Sequence, residues 1–326
     1  MTAGIPPSEV GAVGEARLVT RPHAPSLRRA LGRDWSIAWL FLLPLLIVIV
    51  VMVAYPFVTG IVLSFQHLVV GGTASWVGFA NYQELLFGPA YGPVFRQSIL
   101  ISVLYTVVAI GVKLVLGMGA ALLLNEPFRG RTVMRTVVFL PWALPTVIVA
   151  LTWSWIYQGS PDGLINYVLI HYFHSSTLVQ FLADPRLALW SVVLVVIWQG
   201  MPFYAMMFLA ALQAIPNEQY EAAAIDGAGI FQRYLHVTLP GMRPAIMITA
   251  LLSSIWTANS INFIYILTGG GPLNATMTFP MLAYEIGLNG ARQLGTAATV
   301  SVIYLPIFVV LIYFLTRRML ASGSAG

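Results

Sequence analysis

The chain has 326 residues and one lysine, Lys113, with eleven Asp and Glu, five His and no Cys. A lysine ammonium is a donor-only cation, suited to holding an anion or a ring of oxygen acceptors. Three of the acids, Glu218, Glu221 and Asp226, gather in the stretch EQYEAAAIDGAG. His171 and His174 stand three apart in HYFH, with Asp184 further along the same connecting stretch. That spacing admits a metal in principle, but such a pair in a loop is far more often unliganded. No His gathers with carboxylates in the way a hydrolytic or acid–base centre requires. A phosphate-binding loop of the G-x-x-x-x-G-K-[ST] type is excluded, because Lys113 lies between Val112 and Leu114. Without cysteine there is no thiol or disulfide chemistry either. The available chemistry is recognition, not bond making.

The elements that would position these groups are membrane helices. Hydrophobic residues make up 59% of the chain and charged residues 8%, a balance that points to a bilayer as solvent. Apolar runs long enough to cross the ~30 Å hydrocarbon core fall at 37–63, 97–124, 137–158, 187–213, 244–268 and 292–316, which predicts an all-α integral membrane protein with six transmembrane helices. The first run is too long for a cleaved signal peptide and reads as a retained anchor. Residues 1–34, rich in Pro, Gly and Arg, read as a disordered basic tail, 35–318 as the membrane domain and 319–326 as a short C-terminal tail.

Arginines fix the expected orientation. Arg17, Arg21, Arg28, Arg29 and Arg33 precede the first run, Arg129, Arg131 and Arg135 follow the second, Arg233 and Arg243 follow the fourth, and Arg317 and Arg318 follow the sixth. The other side holds Arg96, Arg186 and Arg292 at helix edges. By the positive-inside rule both termini are cytoplasmic. The net charge of +5 then reflects topology and gives no reason to expect nucleic acid; membrane lipid is the expected environment. The opposite-side connections 64–96, 159–186 and 269–291 either dock a partner or merely connect. Pro141 and Pro145 near the start of the third run, and Gly200 with Pro202 inside the fourth, predict kinked or irregular helices.

The charged segment falls in the longest cytoplasmic connection, 214–243. Pro216 and Asn217 open a helix with Glu218 and Glu221 near its positive end, and Ala222, Ala223 and Ala224 continue it. Gly227 and Gly229 stop it, and IFQRYLHVTLP resumes. A small-residue surface of this kind fits a partner's groove, whereas a helix meant to lie on lipid would be basic and aromatic. The spacing of Glu221, Ala222, Ala223, Gly227, Val237, Thr238, Leu239 and Pro240 resembles the EAA loop of permease subunits of ABC importers, with Val237 where that family usually has isoleucine. The resemblance implies the type I ABC importer permease fold. It also implies a coupling helix seated in a cleft of a cytoplasmic ATPase, with Glu218, Glu221, Ala222, Ala223, Asp226, Gly227, Ala228, Leu239 and Pro240 as the coupling residues. This chain would bind no cofactor; ATP and Mg would sit on a partner ATPase dimer.

A second resemblance lies in FIYILTGGGPLNATMTFPMLAYEIG, with YPF, LGMGAALLLN and AALQAIP upstream. It is similar to the first permease subunit of maltose-like and glycerol-phosphate-like carbohydrate importers over nearly all of 35–318. It implies a second, similar permease, an extracytoplasmic sugar-binding protein and a bacterial or archaeal cytoplasmic membrane. A sugar site needs flat rings against C–H faces and neutral amides or hydroxyls. Trp198, Gln199, Gly200 and Phe203 on the fourth run, and Trp256, Asn259, Ser260 and Asn262 on the fifth, offer these at membrane depth, with interhelical packing as their bland alternative. Lys113, where a charge costs on the order of 3 kcal/mol, either lines the same pathway or makes a structural hydrogen bond. A self-sufficient secondary carrier is the alternative; it would show internal inverted repeats and carboxylates at depth, and neither is evident.

Overall fold

The structure, a computed structural model, describes residues 35–323. The proposed basic tail, residues 1–34, lies outside them. The chain divides into two compact units at Phe57 and Val58. In the first, helix α1 begins: Trp35–Ile49 is α-helical and passes into a π-helical turn, Val50–Ala54. Its side chains from Trp39 to Val53 are exposed apolar groups, as lipid-facing residues should be.

The second unit opens with the rest of α1, which ends at Ser64. A two-stranded antiparallel hairpin, β1 Gln66–His67 and β2 Ser75–Trp76, follows with Gln66 opposite Trp76. The helices after it are α2 Ala80–Phe87, α3 Gly92–Asn125, α4 Arg131–Ala143, α5 Thr146–Ile156, α6 Leu164–Phe173, α7 Ala188–Gln213 and α8 Asn217–Ile225. Then come α9, which runs over 230–259 through a π-helical turn Tyr234–Thr238, α10 Asn262–Leu267, α11 Phe279–Tyr284 with a π-helical turn Glu285–Asn289, and α12 Leu294–Gly323. α2, α6 and α11 occupy the three connections read above as opposite-side loops. α12 also covers most of the proposed C-terminal tail.

Among the described residues four helices are long and apolar enough to cross a membrane: Trp39–Ser64, Gly92–Asn125, Ala188–Gln213 and Ile230–Leu267. The pair α4 and α5 adds a fifth if taken together, and it is bent by 91°. Leu294–Pro306, the opening of α12, is a shorter apolar helix. The chain is therefore a helical, multi-pass membrane protein.

The two proline sites behave differently. Pro145 breaks the predicted third helix outright: Leu144 is extended (ψ 140°) and Pro145 precedes α5, as the steric demand of proline on the residue before it requires. Pro202 does not break the fourth, and α7 stays helical past Gly200 and Pro202. The irregularity expected there instead lies on a neighbouring helix, where α9 gives way to α10 at Ser260 (ψ 120°).

α3 and α7 form the central pair of the bundle. The buried face of α3 runs Phe95, Ser98, Ile101, Tyr105, Ala109, Lys113, Gly117, Ala121 and Leu124, a stripe with the helical period. Leu100, Val103, Val107, Val115 and Leu123 on its other side are exposed, as lipid contact allows. Close approach comes from Gly117, where any Cβ would run into the Tyr204 side chain and lie 3.2 Å from the Ala205 nitrogen. Small residues at such a crossing let backbones meet where lipid supplies no hydrophobic drive.

Two separate cores result. One gathers Phe95, Ile101, Tyr105, Val192, Val195, Ile264 and Phe279. The other gathers Ala121, Leu124, Tyr204, Phe208, Leu212, Ile215 and Met242. Along α3 the gap between them falls at Lys113, and along α7 at Gly200.

Candidate functional site

Between the two cores lies a cavity of about 200 Å³ lined by Lys113, Gln199, Gly200, Phe203, Trp256 and Ser260, together with Tyr105, Trp142, Leu144, Thr146, Val196, Ser253, Thr257 and Phe263. Both helix breaks, at Leu144 and Ser260, open onto it. Non-helical backbone at membrane depth is tolerated where it is buried in protein or lines a polar cavity. Gln199 satisfies part of that demand, since its amide nitrogen donates to the Leu144 carbonyl oxygen at 3.0 Å.

One wall is aromatic. Trp142 of α4 stacks on Phe203 of α7 with centroids 6.0 Å apart and planes 18° apart. Phe203 meets Trp256 of α9 edge to face at 5.2 Å. The rest mixes apolar Leu144, Val196 and Phe263 with neutral polar groups, and Lys113 is the charged side chain among them. The Lys113 ammonium, on a side chain only 3% exposed, donates to Thr257 Oγ1 at 3.1 Å. The Tyr105 hydroxyl, two turns before it on α3, is buried and makes no hydrogen bond among the described residues. Among those residues no carboxylate lines the cavity.

Gly200 makes room for the lysine. A Cβ there would stand 2.8 Å from Lys113 Cε and 3.0 Å from Nζ. Gly200→Ala is expected to push the ammonium off Thr257 and to cost about 1 kcal/mol, the worth of one such bond. Thermal unfolding of the purified chain in detergent reads this as a lowered midpoint; an unchanged midpoint would show that the lysine has room to spare.

Three residues singled out in the sequence lie outside this lining. The Trp198 ring turns to α5 and meets Trp153 edge to face at 5.6 Å. The Asn259 amide donates back to the Ile255 carbonyl oxygen at 2.8 Å. Asn262 is exposed at the start of α10. Conversely Ser253 and Thr257 escaped the sequence reading, although their i, i+4 spacing on a face continued by Ser260 is a legible signal. Trp142 and Thr146 escaped that reading too; they flank the 91° bend between α4 and α5 and reach the cavity from either side of it.

The acidic segment folds as its alanines and glycines predict. α8 ends in a Schellman motif: the Ala228 N–H donates to the Ala223 oxygen at 2.9 Å and the Gly227 N–H to the Ala224 oxygen at 3.1 Å, with Gly227 at φ +79°. The Gly229 N–H donates to Gln232 Oε1 at 2.9 Å where α9 starts. Beneath, Tyr220 shares a hydrogen bond with Thr238 at 3.0 Å and packs on the second core. Outward, Glu218, Glu221, Ala222 and Asp226 are exposed, beside Ile225 (87% exposed), Ile230 (82%) and Phe231 (71%). Ala223 and Ala228 flank a groove whose other lining includes Asp226, Gln232, Arg233, His236 and Val237. Leu239 and Pro240 open the α-helical part of α9 beyond its π turn. In effect α8 and the start of α9 form a firmly footed corner that displays acids and the large apolar side chains Ile225, Ile230 and Phe231 together.

Residues 113–320 match the family model of the binding-protein-dependent transport system inner membrane component. The chain belongs to that family. This permease is also 34% identical to the trehalose/maltose transport system permease protein of Thermococcus litoralis, over 88% of this chain and 95% of that one. It is 32% identical to the diacetylchitobiose uptake system permease protein of Streptomyces coelicolor, over 90% and 89%. Its fold is similar to a chain of a bacterial alginate ABC transporter solved in complex with an alginate pentasaccharide-bound periplasmic protein, with TM-score 0.74, 23% identity and coverage of 89% and 95%. Family membership makes the permease a transport component, not an enzyme.

Proposed function

We propose that this permease forms half of the translocation pathway of an ATP-driven sugar importer in a bacterial or archaeal cytoplasmic membrane. The observation that carries the reading is the mid-bundle cavity, where a wall of Trp142, Phe203 and Trp256 faces Tyr105, Gln199, Ser253, Thr257 and Ser260. Stacked rings suit the C–H faces of a pyranose, and hydroxyls and amides suit its hydroxyl groups. The relatives named for trehalose/maltose and diacetylchitobiose uptake support a saccharide class.

The chain crosses the membrane six times with both termini in the cytoplasm, a topology supported by the arginine distribution. It pairs with a second, similar permease to complete the pathway. A sugar-binding protein delivers substrate at the outer side, and a cytoplasmic ATPase dimer, which carries the ATP and Mg, grips α8. Glu218, Glu221 and Asp226 face basic groups of the ATPase cleft while Ile225, Ile230 and Phe231 fill its apolar part. ATP-driven closure of the ATPase moves α8, and the firm footing of α8 on the second core rocks the permease pair around the cavity.

The test is the assembled complex, with ATP hydrolysis followed across a panel of saccharides presented with the binding protein. One saccharide is expected to stimulate hydrolysis, and Trp256→Ala to raise its half-stimulating concentration by about tenfold, equivalent to ~1.4 kcal/mol. Stimulation by amino acids or inorganic ions and not by any saccharide would overturn the reading.

A further inference from the structure

We infer that the solute passing this cavity carries an anionic group, a carboxylate, sulfonate or phosphate, and that Lys113 reads it. The inference rests on the saccharide-pathway reading and narrows its substrate class.

A neutral sugar hydroxyl needs a donor or an acceptor, and the cavity already supplies both through Gln199, Ser253, Thr257 and Ser260. None of these brings a charge to membrane depth, which is costly. Lys113 brings one, and nothing among the described residues neutralises it: no Asp or Glu lines the cavity. Among the described residues its one hydrogen bond goes to a neutral hydroxyl, that of Thr257. A lysine ammonium has three N–H donors, so two remain for a ligand.

The neighbouring donor points the same way. The Tyr105 hydroxyl, also in the lining, has no acceptor among the described residues. It stands two turns before Lys113 on the same buried face of α3, so the lining holds its O–H as well as the unspent N–H groups. Donors without acceptors suit a ligand that is acceptor-only, and an ionised acid is one. The absence of Cβ at Gly200 leaves space for the ammonium at that level. The aromatic wall of Trp142, Phe203 and Trp256 would hold the ring of the same solute.

The experiment compares matched pairs on the full complex of both permeases, ATPase and binding protein in proteoliposomes: glucose against glucuronate, trehalose against trehalose 6-phosphate, and glycerol against glycerol 3-phosphate. Affinity of each probe for the binding protein alone is measured separately, so that the share of the permease is what remains. In at least one pair the acidic member is expected to stimulate hydrolysis at about tenfold lower concentration after that correction. Lys113→Gln should erase the difference and Lys113→Arg should keep it. If the neutral member is preferred or equal in every pair, the inference fails while the saccharide reading stands. If the acidic preference survives Lys113→Gln, it fails likewise, since Lys113 is then not the reader. If neither member of any pair stimulates hydrolysis, the inference fails, and the saccharide reading is decided by the wider panel. The wild-type comparison needs no variant, so a poorly folding Lys113→Gln chain would not spare the inference.

Discussion

Gly227→Val is expected to abolish ATP-driven uptake while the chain still inserts in the membrane. Gly227 sits at φ +79°, and a Cβ added there would meet no heavy atom within 4 Å, so the effect is conformational and not a clash. The left-handed region is an outlier for a β-branched residue, and holding one there costs about 1–3 kcal/mol. The nine-residue α8 is too short to hold itself. It depends on the two bonds closed around Gly227 and on Tyr220 below. Valine would open that end and turn Glu221, Ala222 and Asp226 away from their shared face. Gly227→Asn is the control, because asparagine tolerates this conformation; it should retain most of the uptake. Glu221→Lys tests the charge separately and should also uncouple hydrolysis from uptake. Uptake at the wild-type rate in Gly227→Val would remove α8 from the driving mechanism.

The second large effect is expected at Gly117. A side chain there meets the Tyr204 side chain and backbone atoms of Tyr204 and Ala205, and backbone cannot swing aside as the tip of a lysine can. Tyr204 is fully buried, with its ring edge to face against Phe203 at 6.2 Å and Phe208 at 5.8 Å. Gly117→Val would separate α3 from α7 one turn from Lys113, destabilising the fold by about 3 kcal/mol or more, with Gly117→Ala intermediate. The reading is the yield and thermal midpoint of the monodisperse chain in detergent. A midpoint within experimental error of the wild type for Gly117→Val would mean that the α3–α7 seam is looser than described.

Much of this was legible in the residues, for identifiable reasons. The α8 segment could be read because alanine runs and paired glycines act locally, through propensity and φ, with little help from distant contacts. Gln199, Phe203, Trp256, Ser260 and Lys113 could be gathered because aromatic and polar groups stand out in an apolar run, and Gly200 because it sits with Pro202 as a helix breaker. Trp198, Asn259 and Asn262 share that composition yet lie outside the cavity lining. Which face of a helix turns inward depends on its neighbours, and Trp198 has Trp153 to meet on α5. The bend at Pro145 and the continuity of α7 through Pro202 show the same limit. Proline marks where a helix can break; packing decides whether it does. In α7 the backbone continues as the middle helix between α3 and α4, whereas at Leu144 the freed carbonyl finds the Gln199 amide.

The most direct measurement is accumulation of labelled saccharide in proteoliposomes that hold this permease, its companion permease and the binding protein, prepared with and without the ATPase chain. Accumulation against a gradient only when the ATPase and ATP are both present, and its loss in Gly227→Val, is the expected result. Saccharide movement down its gradient through the permease alone, at a rate unaffected by the ATPase or by Gly227→Val, would contradict the account and establish a self-sufficient carrier.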